Sequence, residues 1–296
     1  MKRRDFIQVA GMGAGAMLMP FTSFSNDVDL QRMLDPLMDV SQKKKLADVA
    51  LNTTKGLGAT YTDVRIGRYL NQFVITREKK VQGIVNTESF GVGIRVIVNG
   101  TWGFAASNNV TPDGMKKTAE RAVAIAKANS KFQTQPVKLA ATQSHGEVSW
   151  KTPIQKNSFE VPVKEKVDLL LNANSEAMKA GASFVNSNLF QVNEQKYFAS
   201  SEGSYIDQDV HRIWPTFTVS VIDRASGKFK TRDAMSAPVG MGYEYMIPKA
   251  EDKLPGPAGM VLYKNSFDIV EDATLAAKQA KEMITAKSVE PGKYDL

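Results

Sequence analysis

Cysteine is missing from all 296 residues. That excludes a disulfide framework, a Cys-ligated zinc or iron–sulfur site and a thiol nucleophile within these residues. Histidine is nearly as scarce: His145 and His211 are the only two, too few for a His-based metal site or a general acid–base pair. His-Glu-x-x-His and its longer-spaced relatives, a nucleophile elbow and a phosphate loop are also missing. Gly91-Val92-Gly93 precedes a strand-like run and not a helix, so it is no dinucleotide fingerprint. Lys and Arg alternate with acids and do not interleave with aromatic residues, which argues against nucleic acid as a partner. The remainder is ordinary globular material, 43% hydrophobic and 23% charged, with a net charge of +7 spread along the chain.

The N-terminus reads as an address. Met1-Lys2-Arg3-Arg4-Asp5-Phe6 precedes a Gly/Ala/Met-rich apolar stretch from Val9 to Phe21. A basic lead and about 13 apolar residues make a secretory signal, too short for a spanning helix. The Arg3-Arg4 pair gives it the twin-arginine form, carried over residues 1–25 and ending near Ser23 and Ser25. The expected location is therefore periplasmic or otherwise extracytoplasmic. Twin-arginine export carries proteins already folded, and a cysteine-free chain needs no oxidising compartment to fold.

From Gln42 to Lys55 a helix is expected whose apolar stripe is Leu46, Val49, Ala50 and Leu57, with Ser41 as the expected cap and Gly56 as the stop. From Thr60 the period changes to two: Thr62, Val64 and Ile66 alternate with Asp63 and Arg65. Strands are expected near 72–77, 80–86 and 91–98, and Asn99-Gly100 supplies a tight hairpin turn into 101–107. Thr111-Pro112-Asp113 opens an Ala-rich helix. Residues 131–162 read as a connecting arm. A helix over 163–180 follows, then strands at 184–190, 191–199, 205–212, 215–223 and 228–235, a Gly/Pro-rich loop and a helix from Ser266 to Ala286. The fold class is α+β, mainly antiparallel sheet with helices on one side. The order helix, strands, helix occurs twice at a spacing of about 123 residues, as an internal duplication would give. The expected organisation is a signal over 1–25, an α+β domain over 26–130, the arm, and a second α+β region over 163–296.

Asp207, Asp209 and His211 alternate on one expected strand face, where a metal could be held; an exposed strand edge is the plainer reading. His145 reads as a solvated loop residue.

The run Phe90-Gly91-Val92-Gly93-Ile94-Arg95-Val96-Ile97-Val98-Asn99-Gly100-Thr101-Trp102-Gly103-Phe104-Ala105-Ala106 resembles the N-terminal domain of the TldD/PmbA family. So do Asp63-Val64-Arg65, the helix Ala119–Ala126, the segment Tyr197–Ser204 and the final helix. The resemblance implies metallopeptidases, named as modulators of DNA gyrase, built as two-domain subunits. Their zinc lies in a helix bearing His-Glu-x-x-x-His, which no position here matches. Zinc is thus expected for the complete protein, with no metal ligand or catalytic residue in this chain. The strand-like start Lys293-Tyr294-Asp295-Leu296 suggests a fragment that stops short of that helix. The family also contains zinc-free subunits that pair with catalytic ones, so a second subunit, in a homo- or heterodimer, and a peptide substrate are implied. Main-chain pairing at a sheet edge would accept many peptide sequences. The hairpin Gly91–Ala106 is the candidate for shaping a peptide cleft, with Gly91, Gly93, Arg95, Trp102, Gly103 and Phe104 as its residues; the alternative for Trp102 and Phe104 is plain core packing.

Overall fold

A computed structural model describes residues 38–256, 259–287 and 290–293. The signal-like segment and most of the polar lead-in lie outside the described residues. The elements are α1 (Val40–Gly56), β1 (Tyr61–Arg77), β2 (Lys80–Val98), β3 (Thr101–Ser107) and α2 (Pro112–Asn129). They continue as β4 (Glu147–Lys151), α3 (Val163–Lys179), β5 (Phe184–Ser200), β6 (Tyr205–Asp223), β7 (Lys228–Asp233), β8 (Lys253–Pro255), β9 (Val261–Tyr263) and α4 (Ile269–Thr285). The α+β class holds. Seven strands form one sheet in the order β3-β2-β1-β5-β6-β4, with β7 also on β6, and all pairs but β4 with β6 are antiparallel.

The strands are longer than local sequence suggests. Runs expected as separate strands fuse into β1, β2, β5 and β6, of 17, 19, 17 and 19 residues. Gly67 does not break β1 because the Tyr69 ring folds over it, 3.0 Å from where a Cβ would stand. Pro215 does not break β6 because its outer edge is unoccupied there by β4 or β7: β4 pairs as far as Asp209 and β7 starts at Thr218. The lengths match between halves, and β1 lies against β5 at the centre, as a duplicated plan would arrange them.

The four α-helices among the described residues cover one face. Val64 and Ile66 of β1 join α1 and α2 in one apolar cluster, while Val74, on the same side of the strand, joins α3 and α4 in another. Between the two cores lies a buried polar waist. Arg68 donates to Glu88 at 2.6 Å, and Lys166 donates to Gln72 and Gln191 at 2.5 and 2.9 Å; a separate buried polar group, Asn174 with Thr76 and Ser187, lies past Val74 on the α3 side. Lys166 is fully buried on partners that carry no charge, and burial drops its pKa to about 7.

Several local expectations are corrected. Asp39, not Ser41, caps α1, because its carboxylate reaches the Gln42 N–H at 2.7 Å while Gln42 answers from its side chain. Gly58 (φ 90°), not Gly56, takes the left-handed turn. Leu57 is exposed. Asp268, not Ser266, caps α4, and Ser266 is buried against Lys249 N–H. The arm is not without structure: residues 147–151 form β4, parallel to the start of β6. By contrast the Asn99-Gly100 turn (φ 51° and 71°) and the Thr111 cap with Pro112 at the first helical position stand as read.

Candidate functional site

The opposite face of the sheet has no helix on it among the described residues. It presents the odd-numbered residues of β1, which the alternation had simply placed toward solvent. Asp63 is fully buried there, beneath two arginines. Arg95, directly opposite on β2, donates to its Oδ2 from Nε at 2.9 Å and approaches with Nη2 at 2.7 Å. Arg65 reaches Oδ1 at 3.4 Å. Both guanidiniums also lie over aromatic rings, Arg95 over Trp102 at 5.1 Å and Arg65 over Phe198 at 5.6 Å. Trp102 in turn meets Tyr61 edge-on at 5.8 Å. The Asp63 hydrogen bond holds the Arg95 guanidinium even more firmly protonated than usual, and burial, then Asp63, raises the Tyr61 hydroxyl.

Next to this group is an open trough of about 570 Å³. Gly67, Gly91 and Gly93 are among its lining residues. Phe104 lies against Gly93, where an added Cβ would stand 3.1 Å from the ring, and Gly91 sits under the Ser107 carbonyl, 2.9 Å from the corresponding position. Tyr69 and Phe104 form its walls, and Arg65 stands at one end. A smaller hollow of about 390 Å³ is bounded by Arg95, Trp102 and Phe104 on the other side of that ring.

The sequence candidates therefore divide. Gly91, Gly93 and Phe104 line the trough, and Arg95 and Trp102 line the hollow. Phe104 is 55% exposed, so it is not a core residue; Trp102 is half-buried. Gly103 borders the hollow but owes its identity to packing: a Cβ there would lie 2.1 Å from the Ala122 carbonyl oxygen and 2.7 Å from the Ala126 nitrogen of α2. Arg65, Gly67 and Tyr69 were missed. Their only sequence signal is that a strand's solvent-side positions carry Gly and Tyr beside Arg.

The histidines do not assemble a site. His145 is exposed, with its backbone N–H on Ser204 Oγ. His211 is buried beside Asn193 and Asp209, in an interior strand and not at an exposed edge, while the Asp207 carboxylate is taken by Lys43 at 2.8 Å. No group of three or more His, Asp or Glu suited to a metal ion occurs among the described residues. The described residues do not fit a zinc site.

These features define an α+β protein with one helix-roofed sheet face and one open face that is aromatic and basic. The model of PmbA/TldA metallopeptidase domain 1 matches residues 62–126, and that of the PmbA/TldA metallopeptidase central domain matches residues 156–287. The chain belongs to the PmbA/TldD family. It is 22% identical over 152 residues to the metalloprotease MJ0996 of Methanocaldococcus jannaschii, covering 51% of this chain and 34% of that protein. A metalloprotease of Methanothermobacter thermautotrophicus is 25% identical over 156 residues, covering 52% and 32%. Among solved structures, the fold resembles TM0727 of Thermotoga maritima, named as a candidate modulator of DNA gyrase (TM-score 0.60, 14% identity, 84% of this chain and 50% of that one). It also resembles TldE of Thermococcus kodakarensis (TM-score 0.54, 11% identity, 81% and 47%). The matched part spans about a third of the curated relatives and about half of the solved chains.

Proposed function

We propose that these residues are the N-terminal, non-catalytic portion of an exported TldD/PmbA-type zinc metallopeptidase that hydrolyses peptides. The supporting observation is the match to both metallopeptidase domain models; among the described residues no group of three or more side chains suited to a metal ion accompanies it. In this reading the zinc and the catalytic glutamate belong to polypeptide outside these 296 residues. The N-terminal portion receives the peptide and meets a second subunit. The outer edge of β2 suits peptide capture, because β3 pairs only with Val92–Val98 and Lys80–Gly91 has no partner strand there among the described residues. In the other half β4 pairs with the equivalent edge of β6, which supports reading the β2 edge as one that an extended segment can join. Nucleic acid is not among the proposed partners.

Purified alone, the chain should hold no stoichiometric zinc and cleave no peptide. Tight zinc binding together with chelator-sensitive hydrolysis would overturn the reading. Export is tested with a reporter fused behind residues 1–25: R3K/R4K should abolish it, and export that survives the double change removes the twin-arginine assignment.

A second reading, a zinc-free binding subunit of a TldD/PmbA heterodimer, is favoured by the fold likeness to TldE. The two separate on the full-length gene product. Zinc and hydrolysis in that product by itself support the enzyme, whereas hydrolysis only after adding a zinc-bearing partner supports the binding subunit.

A further inference from the structure

We infer that the trough beside Arg65 is a recognition site for a carboxylate carried by an extended peptide; this rests on the peptide reading above. The charge count comes first. Arg65 and Arg95 share one carboxylate, Asp63, so the cluster keeps a net positive charge. Asp63 is fully buried and cannot turn outward, whereas Arg65 is 53% exposed. Its hold on Asp63 is a single contact at 3.4 Å, while Arg95 takes the shorter contacts at Oδ2. Arg65 therefore keeps N–H donors for a second acceptor. Its plane is already steadied over the Phe198 ring, which lowers the ordering cost of a forked contact to a carboxylate.

The trough adds selectivity for what bears the charge. An inorganic anion needs only the guanidinium. Here the space beside it is about 570 Å³ and is lined by Tyr69, Gly91, Gly93 and Phe104. That volume suits one or two apolar side chains and the main chain joining them. The Phe104 ring, which lies over Gly93 and is 55% exposed, gives an apolar residue a surface to cover. The shared chemistry is a carboxylate next to an apolar residue, from either a free C-terminus or an Asp/Glu side chain.

The test uses the whole chain and three fluorescein-labelled octapeptides of identical apolar sequence: a free C-terminal acid, a C-terminal amide, and an amide with one internal Glu. Anisotropy titrations should show the acid, the Glu peptide or both binding about three- to tenfold tighter than the plain amide, which the half-exposed setting of Arg65 allows. R65Q should erase that preference, so that the acid and Glu peptides bind no tighter than the amide. F104A should weaken all three peptides alike. Far-UV circular dichroism and melting of each variant establish that it is folded. Equal binding of all three peptides to the native chain, or a preference that survives in R65Q, overturns the carboxylate site while leaving the peptide reading in place. No binding of any peptide overturns both.

Discussion

Replacing Lys166 by Met tests the buried waist. The ammonium is shut away from water between two apolar cores, with two amide oxygens as partners. In the unfolded chain this group holds its proton up to its ordinary 10.5; in the folded chain it does so only to about 7. Between those values the unfolded state binds more protons, so stability rises with pH through the interval and is flat below it. The gap corresponds to roughly 5 kcal/mol at 1.4 kcal/mol per unit. Going from about pH 6.5 to about pH 9.5 realises about 3 kcal/mol of it, trimmed to about 2 by the hydrogen bonds that the charged form makes. Met is unbranched and apolar and carries no proton, and the loss of the bonds to Gln72 and Gln191 is a penalty independent of pH. Urea unfolding of both chains at fixed m-value should therefore give a native-minus-variant difference that climbs by about 2–3 kcal/mol over this range. The buried tyrosines Tyr243 and Tyr245, raised by desolvation, are present in both chains and cancel. Parallel profiles, within about 0.5 kcal/mol, would refute the claim that Lys166 is forced towards neutrality.

Other substitutions probe other links. Gly103→Ala drives a methyl into the backbone of α2 and should cost about 3 kcal/mol or more, read as a lowered Tm; a change below about 1 kcal/mol would mean that α2 does not sit so close. Asp39→Ala should cost about 1 kcal/mol and Ser41→Ala almost nothing, and the reverse order would restore Ser41 as the cap. Asp63→Ala leaves Arg65 and Arg95 without their shared partner. Because both are part-exposed the loss should be about 2 kcal/mol, not the larger figure for a fully buried pair, and 1 M salt should shrink it; denaturation at two ionic strengths checks this.

Much of this chain is legible in one dimension. Alternation placed Val64 and Ile66 inward, Asn99-Gly100 fixed a hairpin, and Pro112 sits where a helix start needs it. Those signals are local, since each depends on backbone angles or side-chain periodicity within a few residues. Strand length was not legible, because Gly67 and Pro215 are breakers by propensity and are accommodated only by a ring from two residues away and by a gap on a neighbouring edge. Nor was β4, whose alternation of Val148 and Trp150 spans only five residues, all exposed, and which pairs with β6.

The candidate site divides the same way. Its glycines and aromatic residues stand in one hairpin and were visible as a run. Arg65 and Tyr69 come from β1, and Phe198 from β5, more than a hundred residues further on. Their meeting depends on cross-strand register, which one sequence does not print. Composition by itself ruled out cysteine chemistry and left too little histidine for a catalytic pair. Which carboxylate is buried, which arginine keeps donors for a ligand, and which lysine loses its proton were decided only by the packed sheet, because burial and distance set charge energetics and both are properties of the fold.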